Sequence, residues 1–252
     1  MTSDDVPTPG VHGSVDPGEI AKFEALAKTW WDTKGPMRSL HDIHPLRVEF
    51  IVEQAAAVFG RDAGSPQPLA NLEALDVGCA GGLVSESLAR LGAKVTGIDP
   101  VAENVSVARR HAEESGLAVD YRAATLEETA AGGGRWDLVT ALEVVEHVND
   151  VPAFMRVLCS VVKPGGLLVM STVNRTLQSF ALAKVAAEYV LRWLPVGTHD
   201  WNRFVRPREL EEQFQANGLR VLKTGGIFCS PLTFTWHHSR DISVNYQIAA
   251  RR

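Results

Sequence analysis

Cysteine is scarce in this chain: three in 252 residues, at Cys79, Cys159 and Cys229, with no C-x-x-C pair. That spacing argues against a disulfide framework or a zinc–thiolate centre and fits a reducing, cytoplasmic setting. A basic excess is missing too. Twenty-five Lys and Arg stand against 30 Asp and Glu, for a net charge of −5, so the footprint expected of a nucleic-acid binder is not there. No apolar run reaches the ~18 residues that a membrane-spanning helix needs. The opening stretch MTSDDVPTPGVHGSVDPGE has no apolar core of the kind a signal peptide carries. It is acidic and rich in Pro and Gly, and residues 1–15 read as disordered chain. With 45% hydrophobic and 22% charged residues the remainder reads as globular, and no internal repeat interrupts it.

Residues 16–71 read as N-terminal helices and a linker. Ile20, Phe23, Leu26, Ala27 and Trp30 recur at helical spacing, with Asp16 as N-cap, Pro17 at the first helical position and Glu19 closing a capping box. TKGPMRSLHDIHPL (33–46) reads as a loop, broken by Gly35 and Pro36, and a second helix is predicted from Pro45 to Phe59. GRDAGSPQPLAN (60–71) is linker-like. From Leu72 the texture changes to short apolar strands alternating with helices: LEALDV, LVSESLARLG, KVTGID, VAENVSVARRHAEESG, LAVDYRAA, RWDLVTAL, VPAFMRVLCSVVKPGG and LLVMSTV. This alternation predicts an α/β fold with right-handed crossovers and a mostly parallel sheet over residues 72–252. A helix near residues 208–218 and a final pair of strands, LRVLKTGGIFCS and ISVNYQIAA, complete it. AAGGGRW (130–136) reads as a surface turn.

In such a sheet a ligand sits beyond the carboxyl ends of the strands. GCAGG (78–82) follows the first strand, where glycine lets backbone approach a ligand closely, as at Gly78. Asp99 ends the second strand about 20 residues further on, where a carboxylate can accept hydrogen bonds from ribose hydroxyls. A dinucleotide or an adenosine-type cofactor would satisfy both signals. The turn is not G-x-G-x-x-G, and Asp76 beside it suits a cationic cofactor better than an anionic pyrophosphate.

DVGCAGG (76–82), WDLVTALEVVEH (136–147) and VKPGGLLVMST (162–172) together resemble the class I S-adenosylmethionine-dependent methyltransferases, with Ala80 in place of a middle glycine. IAKFEALAKTWWD (20–32), LHDIHPLR (40–47), AEYVLRWLPVGTHDW (187–201) and VNY (244–246) narrow the resemblance to the O-methyltransferases of ubiquinone biosynthesis, over nearly the whole chain after Gly18. His44 departs from the Asn that this pattern carries. The resemblance implies a Rossmann-like, seven-stranded sheet with helices on both faces and a helical cap inserted after the fifth strand, over about residues 174–206. It implies methyl transfer from S-adenosylmethionine to a polyprenylated phenol or catechol, such as 2-polyprenyl-6-hydroxyphenol or 3-demethylubiquinol. It also implies cofactor contacts at Arg47, Gly78, Asp99 and Leu142. Association with other quinone-biosynthesis enzymes and peripheral attachment to the inner membrane are further expectations. Competing readings are a nicotinamide dehydrogenase, a methyltransferase of small phenols unrelated to quinones, and a non-catalytic scaffold of a quinone-synthesis assembly.

ALEVVEHVND (141–150) puts Glu143, Glu146 and His147 at offsets of three and four residues. On a helix starting at Glu143 they share one face, and two carboxylates with an imidazole could seat a hard or borderline divalent cation; the resemblance implies magnesium (Mg²⁺) there in some members. Equally, the Glu–His pair could line the substrate pocket without metal, with His147 taking the phenol proton. In the insertion, Leu177, Phe180, Ala181, Val185, Tyr189, Trp193 and Leu194 make an apolar face, and Lys184, Glu188 and Arg192 a charged one. It reads as a cap over the active site or as a cap that also touches lipid through Tyr189, Arg192 and Trp193; His199 and Asp200 are candidates for the substrate entrance.

Overall fold

The computed structural model describes residues 23–24, 26–180, 201–230, 232–233 and 235–252. Ala181 to Asp200, which include most of the expected cap, and Asp16, Pro17, Glu19 and Ile20 lie outside the described residues.

The strands are β1 (Glu73–Val77), β2 (Lys94–Asp99), β3 (Val119–Ala123), β4 (Trp136–Leu142), β5 (Val162–Val173), β6 (Arg220–Cys229), β7 (Trp236–Ser239) and β8 (Asn245–Arg251). They form one sheet in the order β3-β2-β1-β4-β5-β8-β6-β7. The first five strands are mutually parallel, and β8 enters antiparallel between β5 and β6. The expected final strand pair is therefore β6 with β8. The expectation of seven strands is corrected to eight among the described residues: Trp236–Ser239 adds a short strand antiparallel to the end of β6, at Gly226 to Cys229.

The helices are α1 (Arg38–Phe59), α2 (Leu83–Arg90), α3 (Ala102–Glu114), α4 (Leu126–Ala131), α5 (Val151–Ser160), α6 (Leu177–Ser179) and α7 (Pro207–Ala216). Strand residues alternate between two cores, as the pleat requires. Leu75, Val139, Leu168, Met170 and Ile248 pack with Phe154, Met155 and Leu158 of α5 and with Leu210 and Phe214 of α7. Ala74, Leu138, Leu167, Val169 and Ala249 pack with Phe50 and Ile51 of α1 and Leu88 of α2. Strands buried on both faces explain why they read as continuous apolar runs.

Helix α1 corrects a boundary. It starts at Arg38, and Pro45 lies inside it. Pro45 has no N–H for the carbonyl one turn back, which is why a break was expected there. The buried face formed by Arg47, Phe50, Ile51, Gln54, Ala55 and Ala56 overrides that local cost, as tertiary packing commonly does. The short helix α4 was not foreseen; its capping box joins Thr125 and Glu128.

The chain runs outward from β1 to β3 and then crosses back to β4, so the order reverses between β1 and β4. Asp76 fastens this point: its carboxylate accepts from Ser85 Oγ of α2 at 2.6 Å and from Thr140 Oγ1 of β4 at 2.7 Å. Burial pushes its carboxyl up from 3.8 to about 6. Below the unfolded value both states are protonated and the neutral acid suits its site. As pH rises from about 4 through about 6, ionisation is easier in the unfolded chain, and this contribution is lost. Against an Asp76→Asn variant, which cannot ionise, the wild type should lose roughly 2 kcal/mol of relative stability between pH 4 and pH 7. Denaturant unfolding of both proteins at the two pH values measures it; a constant difference would contradict the buried-acid role.

Candidate active site

At the reversal point, Gly78 N and Cys79 N both donate to Ile98 O at 2.9 Å, and Ala80 N donates to Asp99 Oδ2 at 3.0 Å. Three consecutive backbone amides thus pin the turn to the end of β2. The turn needs left-handed backbone, with φ of 70° at Gly78, 47° at Ala80 and 93° at Gly82. Ala80 accepts this at a cost of about 1 kcal/mol relative to glycine. Gly78 has a second reason: a Cβ there would lie 2.6 Å from Val144 Cγ2, across the reversal point.

Asp99 is only 6% exposed. Its Oδ1 accepts from Val101 N at 2.9 Å and from Asn104 Nδ2 at 3.3 Å, in addition to the Ala80 bond on Oδ2. Burial raises its carboxyl above the usual range, and these three donors oppose the rise. A carboxylate offers about four acceptor directions, so one on Oδ2 remains for a ligand hydroxyl.

The segment before α1 lies against this turn. Trp31 Nε1 donates to Gly81 O at 2.9 Å, and the Trp31 ring stacks on His111 of α3 at 3.4 Å. Trp30 Nε1 donates to Asn104 Oδ1 at 2.8 Å, and His41 Nε2 pairs with Trp30 O at 2.8 Å. A Cβ on Gly81 would collide with Trp30 Cβ. The aromatic spacing of this segment was legible in the sequence; its place over the glycine turn was not.

Beyond β4 the expected helix from Glu143 is not formed. Glu143 takes a left-handed φ of 56°, and only Val145–His147 form a 3₁₀ turn. Glu143 N donates to Ser171 O at 2.9 Å, and Glu143 Oε1 accepts from Ser171 Oγ at 2.7 Å and from Arg47 Nη2 at 2.5 Å. Glu146 is buried, and burial, then the nearby charge of Glu143, raises its carboxyl well above the usual range. His147 meets the Phe23 ring edge-on at 5.2 Å. The Glu143 and Glu146 side chains meet, but among the described residues no group of three or more His, Cys, Asp or Glu is placed to hold a metal ion. The physical reason is the backbone turn at Glu143, which breaks the helical register and swings its carboxylate onto Arg47.

Arg47 is 8% exposed, and its Nε has no hydrogen-bond partner among the described residues, so a buried donor is left open beside the Glu143 pair. Leu142 ends β4 opposite Ser171 of β5. His44 Nε2 pairs with Ser87 Oγ at 2.7 Å, and burial, with Arg47 and His41 nearby, lowers its imidazole to about 4. His44 thus serves as a neutral tie between α1 and α2. Arg47, Gly78, Asp99 and Leu142 all belong to the elements that meet at the carboxyl ends of β1, β2 and β4. Sequence reasoning assigned no site role to Ser171, Asn104, Val144 or the Trp30–Trp31 pair, whose contacts span long chain separations.

The chemistry of this crevice suits a cationic nucleoside: a glycine turn, an inward carboxylate at β2, and acidic Asp76 and Glu143 nearby. Residues 51–224 match the family described as methyltransferase domain. The chain is 53% identical over 239 residues to the ubiquinone biosynthesis O-methyltransferase of Methylobacterium sp. (strain 4-46), covering 95% of this chain and 96% of the relative. It is 47% identical over 245 residues to the protein of that name from Rhizobium etli (strain CIAT 652), covering 97% and 99%. Among solved structures it is similar to the magnesium protoporphyrin IX methyltransferase of Synechocystis PCC 6803 with bound SAH, with a TM-score of 0.65 at 21% identity over 92% of this chain and 94% of that one. The plantazolicin methyltransferase BpumL gives a TM-score of 0.62 at 14% identity over 93% and 98%. With the Rossmann-like fold thus matched over more than nine-tenths of the chain and near half of the residues shared with those relatives, the chain belongs to the ubiquinone biosynthesis O-methyltransferases, within the methyltransferase-domain family.

Proposed function

We propose that this chain transfers a methyl group from S-adenosylmethionine to a hydroxyl of a polyprenylated phenol or catechol on the route to ubiquinone. The observation that carries the reading is Asp99, buried at the tip of β2 and joined to Ala80 of the glycine turn. The bound donor supplies an electrophilic methyl carbon on a sulfonium. Around it, Asp99 would take a ribose hydroxyl, Gly78 would allow backbone contact, Arg47 would offer its Nε, without a partner among the described residues, to the methionine carboxylate, and Leu142 would line the methionine arm. Positioning the acceptor oxygen about 3 Å from the methyl carbon provides much of the acceleration.

His147 is the group proposed to receive the phenol proton. A free phenol has a pKa near ~10, so a base at the acceptor oxygen raises the reactive fraction at neutral pH. The acceptor's long apolar tail calls for contact with lipid. Leu177 is 82% exposed and Phe180 41% exposed where the insertion begins, which supports peripheral membrane attachment. Among the described residues no helix is long and apolar enough to cross a membrane. Other enzymes of the same route are proposed partners, since an insoluble intermediate favours direct transfer.

Titration calorimetry with S-adenosylmethionine tests the site. Asp99→Ala should weaken binding by ~1–3 kcal/mol, the usual cost of losing hydrogen bonds to a charged group; an unchanged affinity would remove Asp99 from the cofactor site. Turnover of a short-chain prenyl catechol tests the metal expectation separately. Because Glu143 is engaged by Arg47 and Ser171, a chelator should leave the rate unchanged. A rate abolished by chelator and restored by magnesium would show that Glu143 exchanges Arg47 for a cation during turnover.

A further inference from the structure

We propose that Trp30 is a positioning residue for the cofactor's ribose, acting through Asn104 on Asp99. The inference rests on the reading of Asp99 as the ribose-binding carboxylate. Asn104 is 1% exposed and stands between the two: its Oδ1 accepts from Trp30 Nε1 at 2.8 Å, and its Nδ2 donates to Asp99 Oδ1 at 3.3 Å.

A primary amide has an accepting end and a donating end, and either one fits the same space. Only one orientation is useful beside a carboxylate. An indole N–H is donor only, so Trp30 requires the oxygen of Asn104 on its own side and thereby turns the NH₂ toward Asp99. Without that N–H, the amide is free to reverse and put its oxygen lone pairs against Asp99 Oδ1. At a site this buried, water is poorly placed to correct the error.

Asp99 depends on this setting more than an exposed carboxylate would. Its burial is opposed by three donors, of which Val101 N and Ala80 N are fixed by the backbone. Asn104 is the adjustable one. The charge of Asp99 in turn raises the Asp76 carboxyl on β1 and the Cys79 thiol in the turn, the titratable groups it couples with. Trp30 lies 74 residues from Asn104 in the chain and belongs to the segment over the glycine turn. Ordering of that segment and the charge state of the ribose carboxylate are therefore linked.

The test is S-adenosylmethionine affinity as a function of pH, by titration calorimetry, for wild type, Trp30→Phe, Asn104→Ala and the double variant. Phenylalanine keeps a ring over Gly81 and removes only the N–H. Trp30→Phe should weaken binding about tenfold at pH 7 and move the acid limb of the affinity profile to higher pH. In the Asn104→Ala background the same substitution should change neither. Wild-type affinity in Trp30→Phe overturns the inference. So does a loss that is equal at every pH and additive with Asn104→Ala, which would make Trp30 a packing residue. If Trp30→Phe does not fold, Asn104→Leu, which leaves Trp30 in place, must still shift the acid limb upward, and an unmoved limb overturns the inference. Should Asp99→Ala bind the cofactor as tightly as wild type, the ribose assignment itself fails, a result distinct from any of these.

Discussion

Three successive backbone amides, those of Gly78, Cys79 and Ala80, reach across to the tip of β2, two onto Ile98 O and one onto Asp99. The rest of the crevice depends on this contact. It fixes how far apart the tips of β1 and β2 stand, and it forces the left-handed backbone at positions 78, 80 and 82. It also buries the Asp99 carboxylate. Asp76 secures the other side of the same turn by accepting from Ser85 and Thr140, so that β1, α2 and β4 cannot separate without leaving an acid unpaired in the core.

Charge follows from this arrangement. Asp76, Asp99 and Glu143 gather acidic groups around the crevice, and Arg47 is paired with Glu143 through a contact that spans 96 residues of chain. An acidic surrounding of this kind favours a cationic ligand over an anionic one. The Arg47–Glu143 pair also ties α1 to the end of β4, so the N-terminal helix is part of the site. The Trp30–Trp31 contacts extend the same logic to the segment before α1.

Left-handed backbone at Glu143 has the largest consequence for interpretation. Three- and four-residue spacing predicts a shared face only where a helix forms. Here Glu143 N and its carboxylate both turn to Ser171 of the neighbouring strand, and the neighbouring strand settles the local conformation. Glu146 is left in a buried position that favours its neutral acid, and His147 is left beside Phe23. Pro45 shows the converse: a residue that ends helices in isolation sits within α1, because the helix has a long buried face to keep.

The amino-acid pattern alone determined the alternation of strands and helices, the glycine turn after the first strand, Asp99 at the end of the second and the family resemblance. Each of these is local: a run of apolar residues, a turn that needs glycine, a carboxylate at a set distance along the chain. Tertiary structure alone decided the eighth strand, the start of α1, the partner of Glu143 and the placement of Trp30 against Asn104. The last two depend on groups 28 to 96 residues apart meeting in a low-dielectric crevice, where the hydrogen bonds available across the fold outweigh the preferences of neighbouring residues.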